Sequence, residues 1–225
     1  MNYKGLIFDF NGVLWWDTQI QEEAWQQTAI KLRGREFDNE ELGEHLHGRN
    51  NKHTLEYLTG KSIETTVELE RLTQLKEQNY REKCLSLGAE FKLSPGAIEL
   101  LDFLKKSQIP ITLATASEIT NIRFFFENLK LNNWFDIENI IYDDGTRPGK
   151  PAPDVYLAAA KLLNIEPVDC VVVEDARSGM QAAVLANIGC LIALGPRDKH
   201  EELKQVDGVK FVVSSLDEVI KLGLF

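Results

Sequence analysis

Five short apolar runs recur along the chain without alternating polar residues. They occupy residues 6–8, 111–114, 170–173, 190–194 and 210–213. Such runs are typical of strands covered on both faces, as in a parallel sheet. Four of them are followed by segments with helical spacing, as in Ala97, Leu100, Leu101 and Leu104. Alternating strands and helices predict an α/β fold with a doubly wound, Rossmann-like parallel sheet.

The stretch from residue 18 to residue 87 has a different pattern. It holds no convincing strand run, and its apolar residues keep helical spacing within a polar background, as in Ala24, Trp25 and Leu32. We therefore predict an all-helical cap domain at 18–87, inserted into an α/β core formed by 1–17 and 88–225. Residues 88–96 are the predicted return linker.

Composition narrows the class of partner. The 225 residues include 25 Lys and Arg against 35 Asp and Glu, a formal charge of −10. This balance argues against nucleic acid and anionic membranes as partners, although a local site can still bind a phosphorylated substrate. The sequence has neither a signal-peptide pattern nor an apolar run that approaches a membrane span, so we expect a cytoplasmic protein, and a monomer. The three cysteines form no zinc pattern.

Polar side chains follow two of the predicted strands near the beginning and the middle of the chain. Asp9 comes directly after the first run, where open α/β sheets bind ligands. Thr115, Ala116 and Ser117 follow the second run, and their hydroxyl and N–H groups suit phosphate oxygens. Each segment also has a simpler interpretation: Asp9 begins a turn, and Ser117 caps the next helix.

Two later segments carry further candidate groups. Lys150 is held between Gly149 and Pro151, which suits a cation that must meet a phosphoryl group, although a solvated loop lysine is the simpler interpretation. The adjacent acids Glu174 and Asp175 follow a buried strand, and such oxygen ligands suit magnesium. The alternative for them is an interaction with a helix dipole. Asp154 is the expected cap of the helix after Lys150.

Together the four segments resemble the signature motifs of the haloacid dehalogenase-like (HAD) superfamily, across essentially the whole chain. The helical insertion resembles the cap of the subgroup that includes phosphoglycolate phosphatases and β-phosphoglucomutase. The resemblance implies magnesium-dependent phosphoryl transfer from a small phosphorylated metabolite such as a sugar phosphate. Hydrolysis is the favoured outcome, and a phosphomutase is the alternative.

The resemblance also implies roles for individual residues. Asp9 would attack phosphorus and become an aspartyl phosphate, Thr115 would hold a phosphoryl oxygen, and Lys150 would neutralise charge and orient Asp9. The implied Mg²⁺ ligands are Asp9, the backbone carbonyl of Asn11, Asp175 and, directly or through water, Glu174. Ala116 and Ser117 are predicted to bind substrate beside Thr115.

Asn11 departs from the family pattern. Phosphatases and mutases of this family carry an Asp there as general acid and base, and an amide cannot exchange a proton in that role. General acid–base catalysis contributes about 10²- to 10⁴-fold in rate. The residue could be engineered, could be natural with another acid substituting, or could mark lost turnover. Asp17 and Glu22 are nearby carboxylates, but Asp17 is expected to cap the first cap helix.

The cap offers weaker clues to the substrate. The segment around Gly48 resembles the cap loop that contacts substrate in β-phosphoglucomutase, and Arg49 and Lys52 are therefore candidate substrate-binding residues. That enzyme has an Arg at the position of Asn51 and a His at the position of Gln21, and both departures weaken the mutase interpretation. Trp15 and Trp16 are expected to pack the hinge between cap and core, with substrate contact as the alternative. Two functions remain open: a phosphatase or phosphomutase, and a catalytically impaired protein that binds phosphorylated metabolites or a protein partner.

Overall fold

The computed structural model describes residues 3–225, and a six-stranded parallel sheet lies at its centre. The strands are β1 (Gly5–Phe8), β2 (Ile111–Glu118), β3 (Ile141–Asp143), β4 (Cys170–Glu174), β5 (Cys190–Leu194) and β6 (Val209–Val213). Their order in the sheet is β3-β2-β1-β4-β5-β6, and every neighbouring pair is parallel. The predicted doubly wound α/β core is thereby confirmed.

Helices connect the strands and cover both faces of the sheet. They are α1 (Thr18–Arg33), α2 (Asn39–His45), α3 (Asn51–Thr59), α4 (Thr66–Ser86), α5 (Ala97–Lys106), α6 (Ile119–Leu129), α7 (Asp154–Leu163), α8 (Arg177–Leu185), α9 (His200–Leu203) and α10 (Asp217–Lys221). Within residues 3–225, no helix is long and apolar enough to cross a membrane.

The residues of β1 show why the apolar runs do not alternate. Leu6 and Phe8 belong to the hydrophobic cluster on one face of the sheet, and Ile7 belongs to the cluster on the other face. Successive side chains of a strand point to opposite faces, so a sheet covered on both sides needs apolar residues at every position.

The sheet differs from the prediction at one edge. β3 was not predicted, because it has only three residues, Ile141–Asp143, which are all half-buried and of which only the first two are apolar. β2 continues beyond the predicted end at residue 114 to Glu118, with a register irregularity against β3 between Ala114 and Glu118. Thr115, Ala116 and Ser117 are thus part of an extended strand end.

Between β1 and α5 the described chain contains only α1–α4 and one 3-10 turn, Gly88–Glu90. The inner faces of these helices form their own hydrophobic cluster, which includes Trp25, Leu55 and Leu72. Tyr80 and Cys84 of α4 pack into the core cluster instead. The separate cluster supports a cap that folds around its own interior, and the boundaries at residues 18 and 87 stay a prediction.

The predicted cap Asp154 and the simpler interpretation of Ser117 as a cap are both wrong. Pro153 is the N-cap of α7, and Asp154 is the first helical residue and accepts no capping hydrogen bond. For α6 the cap is Glu118, whose carboxylate accepts from the backbone N–H groups of Thr120 and Asn121. Ser117 therefore does not cap α6, and its side chain has a different partner, which is described below.

The interior of the cap yields a stability prediction. Leu55 is 0% exposed in the cap cluster, so Leu55→Ala should lower the free energy of unfolding by about 2–5 kcal/mol through lost burial and a residual cavity. Urea denaturation would measure the change. Leu85→Ala on α4, at a side chain that is 54% exposed, is the matched control and should change it by about 0.5 kcal/mol or less. Equal effects at both positions would contradict the existence of a packed cap interior.

Candidate active site

Three carboxylates meet at the carboxyl ends of β1 and β4. Asp9 directly follows β1, Glu174 ends β4, and Asp175 follows it. The register places Phe8 of β1 beside Val173 of β4, so the residues after them become neighbours. One oxygen from each carboxylate lies within 4.8 Å of the others.

The side chain of Lys150 lies between two of these acids. Its Nζ is 2.9 Å from Asp9 Oδ1 and 2.6 Å from Glu174 Oε1, and the residue is only 3% exposed. Burial opposes the charged form, but the two carboxylates outweigh it and raise the pKa of Lys150. The simpler interpretation of Lys150 as a solvated loop residue is therefore wrong.

Hydrogen bonds within the protein engage both oxygens of Glu174. Oε1 accepts from Lys150 and from the Tyr156 hydroxyl at 2.7 Å, while Oε2 accepts from the backbone N–H groups of Asp175 and Ala176 at 2.9 Å each. Asp175 is different, because its buried Oδ1 has no hydrogen-bond partner among the described residues. A buried, unmatched carboxylate oxygen is costly unless something else binds it.

The turn after Asp9 brings the backbone close to Asp175. Gly12 has a φ of +81°, and a Cβ at this position would lie 2.0 Å from Asp175 Oδ2. Only glycine fits both the left-handed conformation and the close approach. The first and fourth segments are thus packed directly against each other.

Burial is the largest cause of the pKa shifts of Asp9 and Asp175. It raises the pKa of Asp9 from 3.8 to about 7, with Lys150 opposing and Glu174 adding to the shift. The pKa of Asp175 is raised well above its usual value by burial and by the charges of Glu174 and Asp9. Concentrated carboxylates of this kind suit a hard divalent cation, and the unmatched Asp175 oxygen fits such an ion.

The side-chain amide of Asn11 is held at both ends. Its Nδ2 donates to Asp17 Oδ2 at 2.6 Å, and its Oδ1 accepts from the Ser117 hydroxyl at 2.6 Å. Ser117 therefore contacts Asn11 rather than capping a helix. The Ser117 backbone N–H donates to the Thr115 hydroxyl oxygen at 3.1 Å.

Asp17 occupies the N-cap position of α1, but its side chain belongs to this network and, contrary to the prediction, makes no capping hydrogen bond. It is buried, and it accepts hydrogen bonds from the Tyr80 hydroxyl at 2.5 Å, from Gln21 Nε2 at 2.9 Å and from the Gly12 backbone N–H at 3.1 Å. Burial raises the pKa of Asp17, and the hydrogen bonds oppose the shift. The capping prediction failed because four donors from three segments compete for the same carboxylate.

A cavity of about 790 Å³ lies over these groups, between the core and α1–α4. Its walls include Asp9, Asn11, Asp175, Lys150 and the three residues Thr115, Ala116 and Ser117. The structure thus brings the predicted residues of the core together around one cavity. Glu174 is the exception, because it is fully buried and does not line the cavity.

The cap residues predicted to bind substrate divide into two cases. Arg49 lines the cavity, but its Nη1 donates to the Lys150 backbone carbonyl at 2.9 Å and its Nε to the Glu44 carbonyl at 3.0 Å. Lys52 does not line the cavity, and its ammonium lies 3.9 Å from Glu56 on the surface of α3. The position of Lys52 gives no support to a substrate contact.

Trp15 and Trp16 differ in their exposure and contacts. Trp15 is buried and packs against Phe91 with ring centroids 5.0 Å apart, as expected for a hinge residue. Trp16 is 47% exposed and lines the cavity.

Sequence reasoning missed Lys76 and Glu77, which line the cavity from α4. A signal was present, because Lys76 precedes the buried residue Tyr80 by four positions and so shares its helix face.

Comparisons with known proteins agree with the geometry. A family model described as haloacid dehalogenase-like hydrolase matches residues 3–187. Hexitol phosphatase A of Escherichia coli is 31% identical over 97% of this chain and 94% of its own length. β-Phosphoglucomutase of Bacillus subtilis is 31% identical over 80% of this chain and 78% of its own length.

A solved structure extends the likeness to the whole fold. The HAD hydrolase, family IA, variant 3 of Entamoeba histolytica superimposes with a TM-score of 0.83 and 35% identity. The match covers 97% of this chain and 95% of that one. The resemblance inferred from the four sequence segments is confirmed.

The raised pKa of Asp9 predicts how the metal-free protein responds to pH. The folded state retains a proton up to about pH 7, whereas the unfolded state releases it near 3.8. In EDTA, the free energy of unfolding should therefore fall as pH rises from about 4 to about 7, by up to about 1.4 kcal/mol per pH unit for this group. Urea denaturation at several pH values would measure the slope.

The variant Asp9→Asn isolates this contribution, because it removes the titrating group and keeps the shape of the side chain. Its slope over the same pH range should be smaller than that of the wild type. Identical slopes would mean that Asp9 is ionised in the folded protein without any bound cation.

Proposed function

Since this chain belongs to the haloacid dehalogenase-like hydrolases, we propose that it transfers the phosphoryl group of a small phosphorylated metabolite to Asp9 and then to water. A sugar or sugar-alcohol phosphate is the favoured substrate, because the hexitol phosphatase and β-phosphoglucomutase are similar over most of this chain. The observation that carries the proposal is the contact of Lys150 with Asp9 beside the unmatched oxygen of Asp175, at the floor of a large cavity.

The site residues would act through position and charge. Lys150 orients the Asp9 carboxylate, one oxygen of which forms a bond to phosphorus as the bond from phosphorus to the leaving oxygen breaks. The hydroxyl of Thr115 and the backbone N–H group of Ala116 donate to the phosphoryl oxygens, while the Ser117 N–H donates to the Thr115 hydroxyl oxygen and holds it in place. Lys150 neutralises part of the charge that develops there.

Magnesium would be held by Asp9, the Asn11 backbone carbonyl and Asp175. Glu174 would contribute through water, because its own oxygens are already engaged by four donors. When bound, the ion supplies charge stabilisation to the phosphoryl oxygens. The unmatched Asp175 oxygen supports this assignment.

Asn11 shapes the expected chemistry. Its amide is fixed between Asp17 and Ser117 and cannot deliver a proton to a leaving group. Substrates whose leaving group needs no proton should therefore react fastest. A phosphomutase is the second enzymatic candidate, supported by the β-phosphoglucomutase relative and opposed by Asn51 and Gln21. The presence of Asn11 at this position is the observation that favours the alternative function, a protein that binds phosphorylated metabolites without fast turnover.

The nucleophile gives the first functional test. With magnesium, the protein should hydrolyse p-nitrophenyl phosphate, and Asp9→Ala should lower the rate by about 10³-fold or more, because no covalent intermediate can form. Asp207→Ala changes an exposed acid and is the control that should keep full activity. A panel of sugar phosphates in the same assay identifies the substrate. Thermal shifts by these ligands without phosphate release would favour the binding protein.

Asn11 gives the second test. Asn11→Asp places a carboxyl 2.6 Å from the Asp17 carboxylate, so the pair should share a proton and supply a general acid. Turnover of an alkyl phosphate should rise by about 10²- to 10⁴-fold, with a smaller gain for p-nitrophenyl phosphate, whose leaving group needs no proton. A phosphoenzyme that accumulates in the wild type should become short-lived. Equal alkyl-phosphate rates would mean that another group already supplies the proton.

A further inference from the structure

The cap wall of the cavity carries an internal ion pair. Lys76 and Glu77 of α4 both line the cavity, and each is only 2% exposed. Lys76 Nζ lies 3.1 Å from Glu77 Oε1 and donates to Gln21 Oε1 at 2.6 Å. Lys76 also lies over the rings of Trp25 and Tyr80, at 5.3 and 4.8 Å from their centroids. The positive charge of Lys76 is therefore compensated before any ligand arrives.

Glu77 is fixed in this position from two sides. Its Oε1 accepts from Asn51 Nδ2 of α3 at 2.7 Å, and its Oε2 accepts from Asn121 Nδ2 of α6 at 2.6 Å. If Glu77 turned away to expose Lys76, it would leave the buried amide of Asn121 and the half-buried amide of Asn51 without this acceptor. The carboxylate is thus a permanent part of the cavity wall.

The other cations of the cavity are engaged as well. Lys150 contacts the two core carboxylates, Arg49 donates to two backbone carbonyls, and Arg177 contacts Glu202 at 2.7 Å. Of the Lys and Arg side chains that line the cavity in the described chain, that of Lys199 alone makes neither a hydrogen bond nor an ion pair, and it is exposed. Phosphate recognition is therefore concentrated at the floor formed by the core.

The cap wall instead presents groups that match hydroxyls. Gln21, Asn51 and Glu77 carry amide and carboxylate oxygens, and Trp16 and Trp25 add aromatic surface. Oxygen acceptors and amide donors of this kind hydrogen-bond the hydroxyls of a polyol. A second phosphate placed against this wall would face a carboxylate and no free cation.

We infer that Glu77 is a specificity-determining residue, which makes the cap wall accept a neutral, hydroxyl-rich group and discriminate against a second phosphate. The substrate class is then a polyol or sugar monophosphate rather than a bisphosphate. This inference rests on the proposed function, since it assigns the leaving group of the same site. It also favours the phosphatase over the phosphomutase, because moving a phosphoryl group between two positions of a sugar passes through a bisphosphate.

The experiment compares dissociation constants in the presence of magnesium. Hexose, pentose and hexitol monophosphates are each paired with the bisphosphate of the same compound, and phosphate release is measured in the same samples. Each monophosphate that binds should bind about tenfold or more tightly than its bisphosphate, because the second phosphate would lose its solvation against a wall that offers no uncompensated cation. Glu77→Gln should reduce this ratio towards one by freeing the charge of Lys76.

Two further variants keep the test decisive. Glu70→Gln makes the same chemical change at an exposed position of α4 and should leave the ratio unchanged. Glu77→Gln leaves a buried lysine unpaired and could prevent folding, so the double change Lys76→Met and Glu77→Gln removes both charges and should retain the monophosphate preference.

Equal or tighter binding of the bisphosphates by the wild type would overturn the inference, as would an unchanged ratio in a folded Glu77→Gln protein. Failure of every sugar phosphate to bind would overturn it too. Selective binding of monophosphates without phosphate release would contradict the proposed hydrolysis and leave the inference standing. Phosphate release from monophosphates and bisphosphates that bind equally well would support the proposed hydrolysis and overturn the inference.

Discussion

The buried contact of Lys150 with Asp9 and Glu174 is the interaction on which the site depends. Two carboxylates at neighbouring strand ends would repel each other in a poorly solvated position, and the single ammonium between them offsets that repulsion. The ammonium of Lys150 donates to Asp9 and Glu174, whereas the buried Oδ1 of the third acid, Asp175, has no hydrogen-bond partner within residues 3–225. The charge balance of the protein alone is therefore incomplete, and a cation at Asp175 would complete it.

Much of the core could be predicted because burial on both faces of a parallel sheet leaves a direct trace in the sequence. Five of the six strands are apolar runs, and the acids that follow β1 and β4 had to converge once those strands were neighbours. β3 left only a short trace, because this edge strand has three half-buried residues and only Ile141 and Tyr142 among them are apolar. Its position follows from pairing with β2 rather than from its own residues.

The errors concern polar side chains whose partners lie far away in the sequence. Asp17 precedes a helix and has a common capping residue type, yet Tyr80, 63 positions later, donates to it. Ser117 similarly donates to Asn11, 106 positions earlier. Local rules assign such residues to the nearest free N–H group, and only the packed structure shows that a distant donor or acceptor competes successfully.

The loop that carries Lys150 also links the floor of the site to the cap. Its ammonium holds Asp9, while its backbone carbonyl accepts from Arg49 of the cap. On the opposite side, Asn121 of the core donates to Glu77 of the cap. The cap is thus fastened to the core by residues adjacent both to Asp9 and to the ion pair of Lys76 and Glu77. A displacement of the cap would break the contacts of Arg49 with Lys150 and of Asn121 with Glu77 together, so the position of the Lys150 loop and that of the cap wall depend on each other.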